Sequence, residues 1–251
     1  MSPSEPHQRA ARHLGALLRA EGTADRARHE RAYLKSSLRH WGVRVPVIRR
    51  LTRQVLKEIG PDLPDPRPLV EQLWGSGVHE MRMAAVEVLR ARADALGLAD
   101  LEWLRRLVRE AGTWALVDPL AADVVGGLRE RVPAVAKRLD AWARDPDFWV
   151  RRAALLAFLG PLRRGEGDFE RFGDYADRML DEKEFFIRKA IGWVLRETSK
   201  KRPALVTRWV EPRAARMSGL TLREATRRMD ERTRERLLAA HRSGAPDGEP
   251  A

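Results

Sequence analysis

Met81-Arg82-Met83-Ala84-Ala85 resembles Val150-Arg151-Arg152-Ala153-Ala154 and, again, Ile187-Arg188-Lys189-Ala190-Ile191. The interval from Met81 to Val150 is close to twice the interval from Val150 to Ile187. An intermediate copy is therefore expected near residues 115–120. Leu116-Val117-Asp118 fills that slot as a weaker match. The sequence further out supports a helical unit. Val47, Ile48, Leu51, Val55, Leu56 and Ile59 recur at three- and four-residue spacing, as do Leu101, Leu104, Leu107 and Val108. That spacing is one face of an α-helix. Ala, Leu, Arg and Glu dominate, whereas the β-favouring Tyr, Phe, Ile and Thr are scarce.

A period of roughly 35 to 40 residues with two helices per unit is the pattern of HEAT and armadillo arrays. The expected fold is therefore all-α, an α-solenoid of HEAT-like helical repeats, right-handed and with a concave basic face. Pro and Gly fall where the helix connections should be: Pro46, Gly60-Pro61, Pro64, Pro66, Gly75, Gly97, Pro133, Pro146, Gly160-Pro161, Gly165, Gly167 and Pro203. One domain is expected over residues 1–243, followed by a disordered Gly/Pro-rich tail over 244–251.

Charge narrows the class of partner. The chain carries 48 Lys and Arg against 36 Asp and Glu, a net charge of +12. Lys201 to Ser243 alone holds 12 basic against 5 acidic residues, more than half of the excess. A basic surplus of this size fits a polyanion such as nucleic acid. The chain has no cysteine, which excludes disulfide frameworks, thiolate nucleophiles and Cys-ligated zinc. The stretch from Met1 to Ala20 has no apolar core of a signal peptide, and no apolar run approaches membrane-spanning length. A cytoplasmic, nucleoid-associated monomer is expected, away from any membrane.

The usual catalytic motifs are missing: no G-x-S-x-G, no Walker loop, no H-E-x-x-H. His7, His13, His29, His40, His79 and His241 are scattered without metal spacing and read as surface residues. Asp94, Asp100 and Glu102 read as acids at a helix junction, favoured there by capping and the helix dipole. Trp41, Trp74, Trp103, Trp142, Trp149 and Trp209 read as core or junction residues, and Arg196-Glu197 as a structural pair. The repeat register is more informative. Asp118, Arg152 and Lys189 hold equivalent positions, with Trp114 four residues before Asp118 and Trp193 four after Lys189. Residues four apart share a helical stripe. A core stripe would not hold three charges, and an exposed one rarely carries two tryptophans.

A lone carboxylate beside indoles suits cleavage of a bond that is already weakened. Purines alkylated at N3 or N7 carry positive charge, and losing them leaves an oxocarbenium-like sugar. A nearby anion stabilises that cation, indole faces attract it by about 0.5–2 kcal/mol, and Arg152 and Lys189 suit the flanking phosphates.

Several segments resemble the bacterial DNA alkylation repair family of HEAT-like-repeat glycosylases. They are Thr113-Trp114-Ala115-Leu116-Val117-Asp118, Phe148-Trp149-Val150-Arg151-Arg152-Ala153-Ala154, Glu184-Phe185-Phe186-Ile187-Arg188-Lys189-Ala190-Ile191-Gly192-Trp193-Val194-Leu195-Arg196-Glu197, Tyr33-Leu34-Lys35 before Gly42-Val43, and Leu222-Arg223-Glu224-Ala225. The resemblance covers about residues 8–240. It implies that Asp118 is the catalytic aspartate, that Trp114 and Trp193 flank the lesion's sugar, that Arg152 binds the backbone, and that Tyr33 faces DNA. It implies a monofunctional glycosylase that acts on alkylated purines in double-stranded DNA without turning the base into a pocket, and without metal or other cofactor. Two positions depart from the family. Thr113 stands where an aromatic is common, and Pro119 disfavours helical geometry at Asp118, which bears on the carboxylate's direction. Tyr33 also fits a core helix position. Two other functions suit the same scaffold: a non-catalytic binder of damaged or branched DNA, and a protein-interaction array.

Overall fold

In a computed structural model, residues 5–59 and 65–244 are described. Among them the chain is all helical. The helices are α1 (Glu5–Ala20), α2 (Ala24–Tyr33), α3 (Val45–Ile59), α4 (Arg67–Trp74), α5 (His79–Ala91), α6 (Leu101–Glu110), α7 (Trp114–Pro119), α8 (Gly126–Arg131), α9 (Ala134–Trp142), α10 (Phe148–Leu156), α11 (Leu159–Arg164), α12 (Phe169–Arg178), α13 (Phe185–Ser199), α14 (Pro203–Val210), α15 (Gly219–Thr226) and α16 (Glu231–Gly244). The extended contact among the described residues is a lone bridge between Arg39 and Val78. The chain falls into two compact units, Met1–Leu120 and Ala121–Ala251. The Gly60-Pro61 and Pro64 breaks lie outside the described residues. So does the expected tail, apart from Gly244, which ends α16.

In the first unit α5 packs on α3 and α4, and α7 packs on α5. Ile48, Leu51 and Val55 of α3, and Leu101, Leu104, Leu107 and Val108 of α6, are buried as their spacing predicts. In the second unit α13 lies against α10, α11, α14 and α15. Both units are built of HEAT-like helix pairs.

The second helices of the pairs begin at Val45, His79, Trp114, Phe148, Phe185 and Gly219. Successive starts are thus separated by nearly the same interval, the step from Phe148 to Phe185 being slightly longer than the rest. Met81, Leu116, Val150 and Ile187 are each the third residue of their helix, so the weak copy at Leu116 is a true one. Polar ties between neighbouring pairs have the same separation. Trp74 Nε1 donates to Glu110 at 3.0 Å, 36 residues on. Tyr175 donates to Asp140 at 2.6 Å across 35 residues, and Arg213 to Asp177 at 2.9 Å across 36.

The arginine repeated in the sequence copies has a clear structural role. Arg82 Nε donates to the Trp74 carbonyl at 3.1 Å, Arg151 Nη1 to the Asp145 carbonyl at 2.7 Å, and Arg188 Nε to the Glu182 carbonyl at 2.8 Å. Arg82 ties α5 to the last residue of α4, a carbonyl that helix geometry leaves without a partner, whereas Arg151 and Arg188 tie their helices to carbonyls in the connection after the first helix.

Three of the histidines expected at the surface are buried: His7, His40 and His79. His7 Nε2 lies 3.3 Å from the Asp65 carbonyl. His40 and His79 stack, ring centroids 4.4 Å apart and 10° from parallel. Arg39 N donates to Gly77 O and His79 N to Arg39 O, and this pairing brings the two rings together. The contact joins segments far apart in the sequence, so no local spacing announces it. Burial pushes His79 down to about 4 and lowers His40 as well. Glu80, fully buried, accepts amides from Trp41, Gly42 and Val43. Gly42 is required there: its φ is +79° and a Cβ would lie 2.3 Å from Thr23 O. The six tryptophans assigned to core or junctions behave so. Trp74, Trp142 and Trp149 are buried, and Trp41, Trp103 and Trp209 are half-buried. Asp100 takes the expected capping role, accepting from Gly97 N at 2.8 Å while pairing with Arg67.

Gly192 sets how closely α15 approaches α13. A Cβ at Gly192 would sit 2.6 Å from Glu224 Cβ and 2.9 Å from Thr221 O. Gly192→Ala should therefore destabilise the protein by about 1–3 kcal/mol through overpacking, although alanine is the better helix former by about 1 kcal/mol. Gly127→Ala, whose Cβ meets only the Arg131 guanidinium at 3.6 Å, should be neutral or stabilising. Urea unfolding of the two variants reads the opposite signs.

Candidate nucleic-acid interface and active-site residues

The first unit brings Tyr33, Trp114 and Asp118 into one neighbourhood. Gly112, with φ of +63°, and Thr113, extended at φ −155°, turn the chain into α7. The Thr113 carbonyl accepts the Leu116 and Val117 amides and starts the helix. Trp114 is its first residue and Asp118 its fifth, one turn along the same stripe. Both are half-buried. Tyr33 ends α2 and is 67% exposed, so it is a surface residue and not part of the core. Its ring meets Trp114 edge-on, centroids 6.1 Å apart and planes at 88°.

Pro119 does not pull Asp118 out of the helix: both residues belong to α7. The missing amide is absorbed further along, where Leu120–Val125 widens into a π-helical turn before α8. Such turns relieve a break in the hydrogen-bond ladder without ending the helix.

In the second unit, Asp147 caps α10 by accepting from Trp149 N at 2.8 Å and Val150 N at 3.1 Å. Glu184 caps α13 by accepting from Phe186 N at 3.1 Å. Arg152 is only 3% exposed. Its Nη1 donates to the Phe186 carbonyl at 2.5 Å, and its guanidinium lies 5.8 Å from the centre of the Phe186 ring. Phe148, Trp149, Phe185 and Phe186 cluster at the starts of α10 and α13. Lys189 keeps 41% of its side chain exposed while pairing with Glu224 at 3.0 Å. Arg196 shares Glu224 and also contacts Glu197, as expected of a structural pair. Trp193, one turn beyond Lys189, is half-buried. For a phosphate approaching from solvent, Lys189 is the more available of the two cations.

The register adds a residue that the sequence reading did not single out. Asp118, Arg152 and Lys189 are the fifth residues of α7, α10 and α13. The fifth residue of α15 is Arg223, which is exposed and, among the described residues, holds no ion pair. Arg227, one turn further, is exposed too. Carrying the repeat interval one step on from Lys189 would have found Arg223. Four other C-terminal cations are paired: Arg213 and Arg216 with Asp177, Arg234 with Glu231, and Arg236 with Glu211.

The family model described as DNA alkylation repair enzyme matches residues 14–229. The chain belongs to this family. A structure described as a predicted DNA alkylation repair enzyme from Enterococcus faecalis superposes with a TM-score of 0.73 at 22% identity, over 84% of this chain and 98% of that one. The structure of smu.31 from Streptococcus mutans UA159 aligns at 15% identity with a TM-score of 0.49, over 79% of this chain and 100% of that one. A search of curated proteins gave no match. Membership of the DNA alkylation repair enzyme family implies damaged DNA as the substrate. Among the described residues no helix is long and apolar enough to cross a membrane.

Proposed function

We propose that this family member is a monofunctional glycosylase that hydrolyses the N-glycosidic bond of N3- and N7-alkylated purines in duplex DNA, without base flipping. The observation that carries the reading is the half-buried carboxylate of Asp118 one helical turn from Trp114, with Tyr33 edge-on to that indole. An alkylated purine leaves as a neutral base, so the bond electrons need no acid to receive them. The positive charge passes to the sugar as the bond lengthens. A carboxylate in a partly desolvated setting stabilises that charge more than water does. The Trp114 face adds a cation–π attraction of about 0.5–2 kcal/mol. Water then bonds to C1′, and Asp118 accepts the proton that this oxygen loses. Trp193 is assigned to the lesion's sugar, and Arg152 and Lys189 to the flanking phosphates, by their match to the family pattern. Tyr33, exposed at the end of α2, is assigned to the DNA surface. None of these residues offers an edge-reading pocket of the kind that flipped-base enzymes use.

Asp118→Asn should preserve folding and DNA affinity while lowering base release by about 10²–10³-fold, the usual cost of one electrostatic stabiliser. Free 7-methylguanine released from N7-methylguanine DNA in single-turnover conditions measures this. Unchanged release would remove Asp118 from the reaction, and no release by the wild type would leave a DNA-binding role only. Arg223 adds a second prediction, because an exposed cation without an acidic partner binds phosphate at low desolvation cost. Arg223→Ala should weaken binding to all duplex sequences alike and lower the slope of log K against log salt by about 0.9. An unaltered slope would take Arg223 off the DNA.

A further inference from the structure

We propose that Glu30, His40 and Glu80 form a site for one divalent transition-metal ion of the zinc class, fastening the end of α2 to the start of α5. The three side chains come from separate elements of the first unit: α2, the connection to α3, and α5. One donor atom from each lies within 4.8 Å of the others. Tetrahedral zinc with bonds of about 2.0–2.2 Å needs donors about 3.4 Å apart, so the three donors must draw closer on binding.

The second, independent observation is His40 itself. It is only 9% exposed, and neither ring nitrogen has a hydrogen-bond partner. A buried imidazole with both nitrogens unsatisfied is rare, and an ion would give one of them a partner. His79 stacks against the ring and fixes its plane. Both carboxylates keep a donor. The three amides on Glu80 converge on Oε1, while Oε2 accepts one, from Trp41. Arg26 takes Oε1 of Glu30, leaving Oε2.

The donor set, one imidazole and two carboxylates, suits a divalent ion. Arg26, which pairs with Glu30, and Arg31 oppose it, so the site offers less negative charge than its two carboxylates alone. Imidazole with two carboxylates favours zinc, cobalt or manganese over calcium. The ion stands apart from the glycosidic chemistry proposed above. Its effect is on the end of α2, where Glu30 lies three residues before Tyr33.

The test uses the full chain without an affinity tag, stripped with chelator and titrated with zinc chloride, then with cobalt chloride to read the visible absorption of the bound ion. One equivalent should bind, and zinc should raise the thermal midpoint. Glu30→Gln, at a half-exposed position that leaves packing intact, and His40→Asn should each weaken binding by more than about tenfold and abolish the rise in midpoint. His29→Gln, on the exposed side of α2, should leave binding unchanged. No saturable binding, or equal binding by wild type and Glu30→Gln, would overturn the site. Loss of binding in the His29 variant would overturn it as well, by moving the ion to the surface.

Discussion

An arginine near the start of the second helix reaches back to a backbone carbonyl at the end of the first, or in the connection after it, in three helix pairs. A helix leaves its last carbonyls without partners, and two short helices joined by a few residues bury little of their own. The arginine satisfies a carbonyl there and sets the angle of the pair at the same time. Stacking then imposes the spacing. Polar ties spanning 35 or 36 residues join first helices to first helices, as in Trp74 to Glu110, Tyr175 to Asp140 and Arg213 to Asp177, and Lys189 of α13 to Glu224 of α15 joins second helices across 35, so a shift of one residue in a tied helix would break its tie. Fixed register makes the fifth residue of each such helix an equivalent position.

That position carries the charges on which the proposed reaction draws. It is Arg49 in α3, Met83 in α5, Asp118 in α7, Arg152 in α10, Lys189 in α13 and Arg223 in α15. From α7 onward the register holds one carboxylate followed by cations, which suits a substrate that brings its own positive charge within a polyanion. In the proposed reaction the cations hold the phosphates, and the carboxylate meets the one place where positive charge develops. The local structure is adjusted around it. Pro119 would normally unwind the residue before it, yet α7 keeps Asp118 helical, and the irregularity passes into the π turn that follows.

The helical period was legible because it depends on local apolar spacing and on an arginine that recurs in three of the pairs. The Asp118 and Trp114 stripe was legible for the same reason, since four residues along one helix is a matter of geometry. What escaped the sequence was long-range. The burial of His40 and His79 follows from pairing of Arg39 with Val78, and nothing near either histidine signals it. The occupation of Lys189 by Glu224 depends on the close approach that Gly192 permits between α13 and α15. Tyr33 was ambiguous because α2 has no buried residue and therefore no apolar face to assign it to. Arg223 was within reach of the period, but its helix carries no copy of the repeated motif.

The central claim is that the substrate's own charge supplies most of the activation and that Asp118 answers it. The most direct measurement is single-turnover release from matched duplexes carrying N3-methyladenine, N7-methylguanine, hypoxanthine or uracil. The account predicts release of the two cationic purines and none of the two neutral bases, with rates following the lability of the glycosidic bond. Efficient release of hypoxanthine or uracil would contradict it, because those bases need an acid or an edge-reading pocket to leave.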